Sequence, residues 1–460
     1  MNPARYEPPL SVSRALLAAI ILCAVLLRFP GLDEQSLWRD EAATWLQVNG
    51  SLAEVISRTA TDNYPPLYNL LAWISVQLFG GAEWVLRLPS ALLGVLNVAL
   101  LYGLASRIGG RGAGLLAAGL LALSGYHVWY SQEARMYALL ACAATAHAWA
   151  MLHFLDRPRA GRALLLGLSG IPLIYAHPYG ALTWVGIGFG ALWTIVLRRD
   201  WAGLLRLVLA ELLVVLSFVP WGLILIGRAQ SIAKEGFWIG EPTPAFIVLQ
   251  WRKVTTSLYV LLLLATPFLI FLRRKHGPGP ASGWLPLLLC WTLLPSILGI
   301  IASLLIEPVF FDRYLLGSLP GFLILFALAV LTPARTKRGV ALAGAFGLAI
   351  AVATLFFADT NPRADWRAIS AGIRATIEPG DCLAMSSPID ASLLDYYVPG
   401  RSDCFLPYLN ATSVAAAPPS ARIIYIAMKP ESEAQAAVAP LAGVRSLLTS
   451  AAVPNGALYV

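Results

Sequence analysis

The chain has 460 residues, of which 58% are hydrophobic and only 13% charged, with a formal net charge of +8. Soluble globular domains carry about 25% charged residues, so this balance excludes an ordinary soluble enzyme and puts most of the chain in lipid. The positive excess marks loops between membrane spans, and no Lys/Arg-rich run with interleaved aromatics occurs, so nucleic acid is not an expected partner.

In chain order, the apolar run Ala15–Leu27 is followed by Arg28-Phe29-Pro30 without a small-residue cleavage site, and reads as a retained first span. Further apolar segments lie at 88–107, 112–129, 134–155, 163–176, 178–197, 203–226, 256–272, 284–306, 314–332 and 339–357. Most are long enough to cross about 30 Å of hydrocarbon. The run Pro66–Phe79 is short for a span and reads as an interfacial or re-entrant helix.

The positive-inside rule fixes the topology. If Pro66–Phe79 does not cross, Arg107/Arg111, Arg157/Arg159/Arg162, Arg198/Arg199, Arg273/Arg274/Lys275 and Arg335/Lys337/Arg338 all fall on one side, the cytoplasmic one. The expected architecture is therefore an α-helical polytopic membrane protein with about 11 spans over 1–357. Residues 30–87 form a large first external loop with interfacial helices. Residues 358–460 are more polar and alternate in pattern. A helix over Trp366–Ile377 and strands over Asp381–Met385, Ile423–Ala427 and Ala457–Val460 are expected there, giving a small extracytoplasmic α/β domain. Cys382 and Cys404 lie in this region, either as a disulfide or as two free thiols.

Carboxylates at a membrane edge are costly and are default candidates for function. Asp40 and Glu41 sit between Trp38 and Trp45 in the first external loop, and Glu133 follows the third segment on the same side. An acid in the first turn of a helix is the simpler account of Asp40 taken alone. Arg135 and Tyr137 follow Glu133, while Arg313 and Tyr314 open the tenth segment. Arginine at a water–lipid boundary suits a phosphate, since its planar fork donates paired hydrogen bonds; snorkelling or an ion pair with Asp312 is the plainer alternative. His177, in the turn between the fifth and sixth segments, reads first as a locally satisfied histidine and second as a phosphate donor or metal ligand. No phosphate loop of the GxxxxGK[ST] type, HExxH, CxxC or GxSxG occurs, and the glycine-rich 109–114 has no strand before it.

The motifs LWRDEAATW (37–45), NYPPLY (63–68), RLPSALLGVL (87–96), HVWYSQEARMYAL (127–139) and DRYLLGSLPG (312–321), in this order, resemble bacterial membrane glycosyltransferases of the GT-C class. The protein O-mannosyltransferases and lipid A aminoarabinose transferases belong to that group. The tail NPRADWRAISAGI followed by GDCL also resembles the group's external C-terminal domain. The resemblance implies a polyprenyl-phosphate-linked sugar donor and an external active site in the bacterial inner membrane. It assigns Asp40 as the catalytic aspartate, Glu133 as the second-loop acid and Arg313 as a contact to carrier phosphate. Tyr314, Arg135, Tyr137, Tyr64 and His177 are the further substrate-binding candidates. Two positions depart from the pattern: Glu133 stands where several relatives carry Asp, and Asn63 where many carry His.

A phosphate leaving group already activates the anomeric carbon, so the expected mechanism is direct displacement with inversion. Asp40 deprotonates the acceptor hydroxyl, and Arg313, with Arg135 second, stabilises the departing phosphate. Glu133 and Glu41 either orient hydroxyls or hold a divalent cation, the only cofactor left open. The segment 227–255 reads as a lid. The acceptor is a lipid, a glycan or a protein side chain, alongside membrane lipids as partners. A transporter or flippase of lipid-linked sugars is the alternative. It would place charges at mid-membrane, whereas here charges gather in the external loops and most segment centres are apolar; Glu211, the main exception, lies near the beginning of the seventh segment and reads as snorkelling.

Overall fold

The computed structural model describes residues 7–235, 239–255, 283–331, 363–385 and 391–399, with shorter stretches at 344–345, 349, 352, 404–406, 417–418, 422–427, 450–453 and 456–459. Its contacts divide into two compact units.

The first unit contains Met1–Pro30, Leu52–Ile74 and Arg87–Asp359. Its helices are α1 (Leu10–Arg28), α3 (Leu52–Thr59), most of α4 (Leu67–Phe79) and of α5 (Glu83–Gly109), α6 (Arg111–Leu123), α7 (Gly125–Ser131), α8 (Tyr137–Asp156) and α9 (Ala160–Ala176). They continue with α10 (Pro178–Arg198), α11 (Trp201–Glu235), α12 (Pro244–Thr255), α13 (Leu285–Leu305), a short 3-10 helix (Asp312–Gly317) and α14 (Leu319–Leu331). Among the described residues six helices are long and apolar enough to cross a membrane, or seven if the bent pair α6–α7 counts as one span. Helices α4, α9 and α14 are apolar but shorter. The eleven expected spans are therefore not all seen: 256–272 lies outside the described residues and 339–357 almost wholly so.

Side-chain size decides how these helices meet. Most of α8 is buried, whereas α1 and α11 turn Leu16, Leu22, Leu26, Leu205, Leu216 and Leu223 outward, as lipid-facing helices do. Helix α10 approaches α13 through Gly186 and Gly190, one turn apart. A Cβ at Gly190 would stand 2.6 Å from the Leu287 Cα, and one at Gly186 would stand 2.9 Å from the Cys290 carbonyl. Small residues at this spacing let helix backbones pack directly in lipid.

The expected single span over 112–129 is broken. Helices α6 and α7 bend by 61° at Ser124. The exposed carbonyls at the break need donors inside the protein. The fully buried Arg28 supplies them, donating from Nη1 to the Ala122 carbonyl and from Nη2 to the Leu121 carbonyl, both at 3.0 Å. Its Nη2 also lies 2.9 Å from Nδ1 of the buried His127. Glu211, the acid expected alone in a span, is bonded by Trp184 Nε1. The expected lid is also largely helical, since α11 runs to Glu235 and α12 begins at Pro244.

The basic clusters within the described residues collect at one end of this unit. Arg107 pairs with Asp156, and Arg111 accepts a contact from the N-terminal segment, donating its backbone N–H to Glu7 at 2.9 Å. Arg198 donates to the Leu155 carbonyl at 2.8 Å and Arg162 to the His153 carbonyl at 2.6 Å.

The second unit contains Gly31–Ser51, Ser75–Leu86 and Thr360–Val460. This grouping differs from the expected boundary at 357/358, because two pieces of the first external loop pack with the tail. It holds α2 (Arg39–Val48), α15 (Trp366–Thr376), α16 (Ala391–Tyr397) and a five-stranded sheet in the order β2-β1-β3-β5-β4. Strands β1 (Cys382–Met385), β2 (Cys404–Leu406) and β3 (Ile423–Ala427) are parallel, and β5 (Gly456–Tyr459) is antiparallel to β3 and to β4 (Ser450–Val453). Cys382 and Cys404 are register partners on β1 and β2 and form a disulfide.

Candidate active site

In the first unit the sequence turns at three places toward the same interior. The loop Glu133–Arg135, between α7 and α8, is pinned by its backbone: Ser90 Oγ on α5 donates to the Arg135 carbonyl at 3.1 Å and lies 3.0 Å from the Tyr68 hydroxyl. Tyr68 in turn reaches the Glu133 carbonyl at 3.5 Å. The 3-10 helix is entirely buried and is held by α12. The Asp312 backbone N–H donates to Gln250 Oε1 at 3.1 Å, and the Asp312 carboxylate takes Lys253 at 3.4 Å and the Arg313 backbone N–H at 2.6 Å. His177 caps α10.

These turns assemble an aromatic cage. The His177 ring lies 4.6 Å from Tyr314, 5.2 Å from Tyr64, 6.0 Å from Tyr137 and 6.1 Å from Tyr179, between centroids. The Arg135 guanidinium sits 4.9 Å over Tyr64, and that of Arg313 sits 5.2 Å over Phe311 and 5.6 Å over Tyr137. Both arginines are buried. Ring faces attract a guanidinium without cancelling its charge, and a pair of guanidiniums so held suits an anion.

His177 completes it. Its Nδ1 accepts the Tyr179 backbone N–H at 3.0 Å. Burial, and then repulsion from Arg135 and Arg313, pushes the imidazole well below its ordinary titration range. The neutral ring therefore carries its proton on Nε2, which is buried and has no hydrogen-bond partner among the described residues. The locally satisfied turn histidine is half right: one nitrogen is satisfied and the other is an unused donor. The Tyr179 hydroxyl is likewise buried and has no hydrogen-bond partner among the described residues. Gly299 on α13 makes room for that ring, since a Cβ there would fall 2.1 Å from the hydroxyl.

Six sequence-predicted residues, Tyr64, Arg135, Tyr137, His177, Arg313 and Tyr314, are thus brought together from positions spread over 250 residues. Glu133 adjoins them in sequence, buried, with Oε1 accepting the Trp129 indole N–H at 2.9 Å. Tyr130 and Tyr179 were missed. Tyr130 stacks edge-on against Tyr137 at 5.0 Å, and Tyr179 lies 5.2 Å from Tyr314. Their signal was the tyrosine density around the two motifs.

Asp40 and Glu41 belong to the second unit. Asp40 lies in the first turn of α2, 3.5 Å from Arg39 Nε, with 19% of its side chain exposed. Glu41 is fully buried. Its Oε2 accepts the Trp38 N–H at 3.3 Å, closing a capping box, and pairs with Arg363 at 2.8 Å. These contacts tie Glu41 to the first turn of α2. Among the described residues no three His, Cys, Asp or Glu side chains converge, so no metal ligand set is assigned.

Fold and composition together define a multi-pass membrane protein with the GT-C glycosyltransferase fold. Residues 63–224 match the sequence profile of the dolichyl-phosphate-mannose-protein mannosyltransferases. The chain is similar in structure to ArnT from Cupriavidus metallidurans in the apo state, with a TM-score of 0.64 at 15% identity over 97% of this chain and 98% of that one. The same protein bound to undecaprenyl phosphate gives 0.61 at 16% identity, covering 98% of each chain. The apo oligosaccharyltransferase of Archaeoglobus fulgidus gives 0.57 at 12% identity, over 90% of this chain and 69% of that one. No protein of curated function matches the chain in sequence.

Proposed function

We propose that the protein transfers a monosaccharide, with inversion, from a polyprenyl-phosphate carrier to an extracytoplasmic lipid, glycan or protein acceptor. The observation that carries this reading is the buried cage in which two guanidiniums and a neutral imidazole N–H meet. That set fits a phosphate that gains charge as it leaves: Arg313 and Arg135 stabilise the leaving oxygens, and the His177 Nε2–H and tyrosine hydroxyls orient them. The ArnT structure with undecaprenyl phosphate supports a carrier of this kind. Asp40 is assigned as general base for the acceptor hydroxyl, and Glu133 orients sugar or acceptor hydroxyls. Where the acceptor is itself a phosphate, no base is required and Asp40 orients it.

Two observations support an extracytoplasmic cage. Helix α8 has Tyr137 of the cage at its start and Asp156, paired with Arg107, at its end. Its 20 residues span about 30 Å, a full hydrocarbon thickness, so cage and basic end face opposite compartments. Loops rich in Lys and Arg favour the cytoplasmic side, which supports a cage on the outer one. The Cys382–Cys404 disulfide supports the same compartment for the C-terminal sheet.

The test is turnover in nanodiscs with a panel of radiolabelled polyprenyl-phosphate sugars and envelope acceptors. Transfer from one donor, lost in folded Asp40→Asn, supports the enzyme and its base. Full activity in that variant removes Asp40 from the role. Energy-dependent movement of an intact donor across the bilayer, without cleavage, would instead favour a flippase.

A further inference from the structure

The end of α8 collects guanidiniums from three other helices. Arg162 on α9 donates from Nη1 to the His153 carbonyl at 2.6 Å, and Arg198 at the end of α10 donates to the Leu155 carbonyl at 2.8 Å. Arg206 on α11 donates to the Pro158 carbonyl at 2.9 Å. The Arg198 guanidinium also lies 5.6 Å from the Trp284 ring centroid, which holds it in place. Carbonyls at a helix C-terminus need donors, so capping is one role of these side chains. It uses one N–H of each guanidinium and neutralises none of the charge. Among the described residues none of the three is in an ion pair. Asp156 is paired with Arg107, and Asp200 Oδ1 accepts the Gly203 backbone N–H at 2.8 Å.

Like charges held together by fixed side chains repel one another, and an anion among them offsets that cost. Planar guanidiniums suit a phosphate, to which each can donate paired hydrogen bonds. The rim of the cluster is apolar. Leu197 precedes Arg198, Trp201 opens α11 and Leu205 precedes Arg206, and these three are 68%, 65% and 62% exposed. A free phosphate has no use for such a rim, whereas a lipid brings a phosphate and acyl chains together. We propose that the end of α8 binds the phosphate of an anionic phospholipid in the leaflet on the basic side of the membrane, with the acyl chains lying along Leu197, Trp201 and Leu205. Basic clusters next to membrane spans attract anionic lipids in this way. Tyr137 of the cage stands at the opposite end of α8, so the inference does not depend on the proposed reaction.

The full chain in a neutral detergent is titrated with phosphatidylglycerol, or with phosphatidylcholine of the same acyl chains, and bound lipids are counted by native mass spectrometry. One phosphatidylglycerol is expected to bind at least about tenfold more tightly than phosphatidylcholine, and an excess of inorganic phosphate is expected to leave it bound. Each basic side chain near a lipid anion is worth about fivefold in affinity, so the combined variant Arg162→Gln, Arg198→Gln, Arg206→Gln should weaken phosphatidylglycerol roughly 100-fold. Arg157, Arg159 and Arg199 are exposed on the same two turns. Replacing those three by Gln removes an equal charge from solvent-screened positions and should cost at most about threefold. Glutamine keeps an N–H for the α8 carbonyls. Should the first combination still fail to fold, the single variants carry the test, at about fivefold each against less than about twofold for Arg157→Gln. Equal losses in the two combinations, or in the singles, show general surface attraction and overturn the site. Absence of any preference for phosphatidylglycerol, or its displacement by inorganic phosphate, overturns it as well.

Discussion

The Tyr179 backbone N–H donates to His177 Nδ1 at 3.0 Å, and this bond fixes which ring nitrogen carries the proton. It leaves the other nitrogen as a buried donor in a cage of four tyrosine rings and two guanidiniums.

His177→Ala removes that donor. A hydrogen bond to a charged group is worth about 1.5–3 kcal/mol, so kcat/KM for the lipid-linked donor is expected to fall roughly 10- to 150-fold. His177→Gln, which retains an N–H, is expected to lose less. Steady-state rates at several donor concentrations decide it.

The same histidine predicts a pH dependence of stability. Its folded pKa is depressed by burial first and by the two guanidiniums second, while the unfolded value is about 6.5. Below about pH 6.5 the unfolded chain binds more protons than the folded one, so the histidine's contribution is present above that pH and is lost as pH falls below it. Tm measured from about pH 7.5 down to pH 5 should drop toward acid, with a shallower slope in His177→Gln.

Arg313→Gln should act on the transition state more than on donor binding, because leaving-group charge develops only during transfer. Loss of one such donor typically lowers kcat by about 100- to 1,000-fold. Arg313→Lys is expected to restore little, since an ammonium neither forks onto a phosphate nor stacks on Tyr137 in the same way. Equal loss in donor affinity and kcat/KM, with kcat unchanged, would reassign Arg313 to ground-state binding.

Arg28→Ala opens the bend between α6 and α7. The carbonyls of Leu121 and Ala122 would lose their guanidinium donor at membrane depth, costing about 3 kcal/mol or more. Thermal unfolding in nanodiscs should show the loss, and the loop carrying Glu133 and Arg135 should exchange amide hydrogens faster.

On right-side-out spheroplasts, a membrane-impermeant maleimide should label Cys382 and Cys404 only after an impermeant reductant. Labelling before reduction would contradict the disulfide, and labelling only after lysis would contradict the proposed topology. Serine at both positions is expected to destabilise the sheet by roughly 3 kcal/mol.

Several features were legible in the sequence because their cause is local. Apolar length gave the long spans, and period-two alternation placed strands at 382–385, 423–427 and 456–459 within a residue or two of the expected limits. The cage arginines were legible because a guanidinium at a water–lipid boundary suits a phosphate, and the tyrosines and His177 because they flank the same motifs. The bend at Ser124 was hidden, since hydropathy continues through it and the capping Arg28 lies 94 residues from Ala122. The 3-10 turn 312–317 was absorbed into a longer apolar run for the same reason. The pairing of Glu41 with Arg363 was hidden because the two are 322 residues apart. Long-range ion pairs leave no periodic trace.

That separation also orders events during synthesis. The first loop is made early, while the arginines that cover Glu41 and Glu83 are made near the end. At about 5–20 residues per second, the 322 residues between Glu41 and Arg363 take roughly 15–65 s to translate. Throughout that interval α2 lacks its contact with Arg363. A chain released before Arg363 and Arg367 are made would carry Glu41 and Glu83 without these two partners.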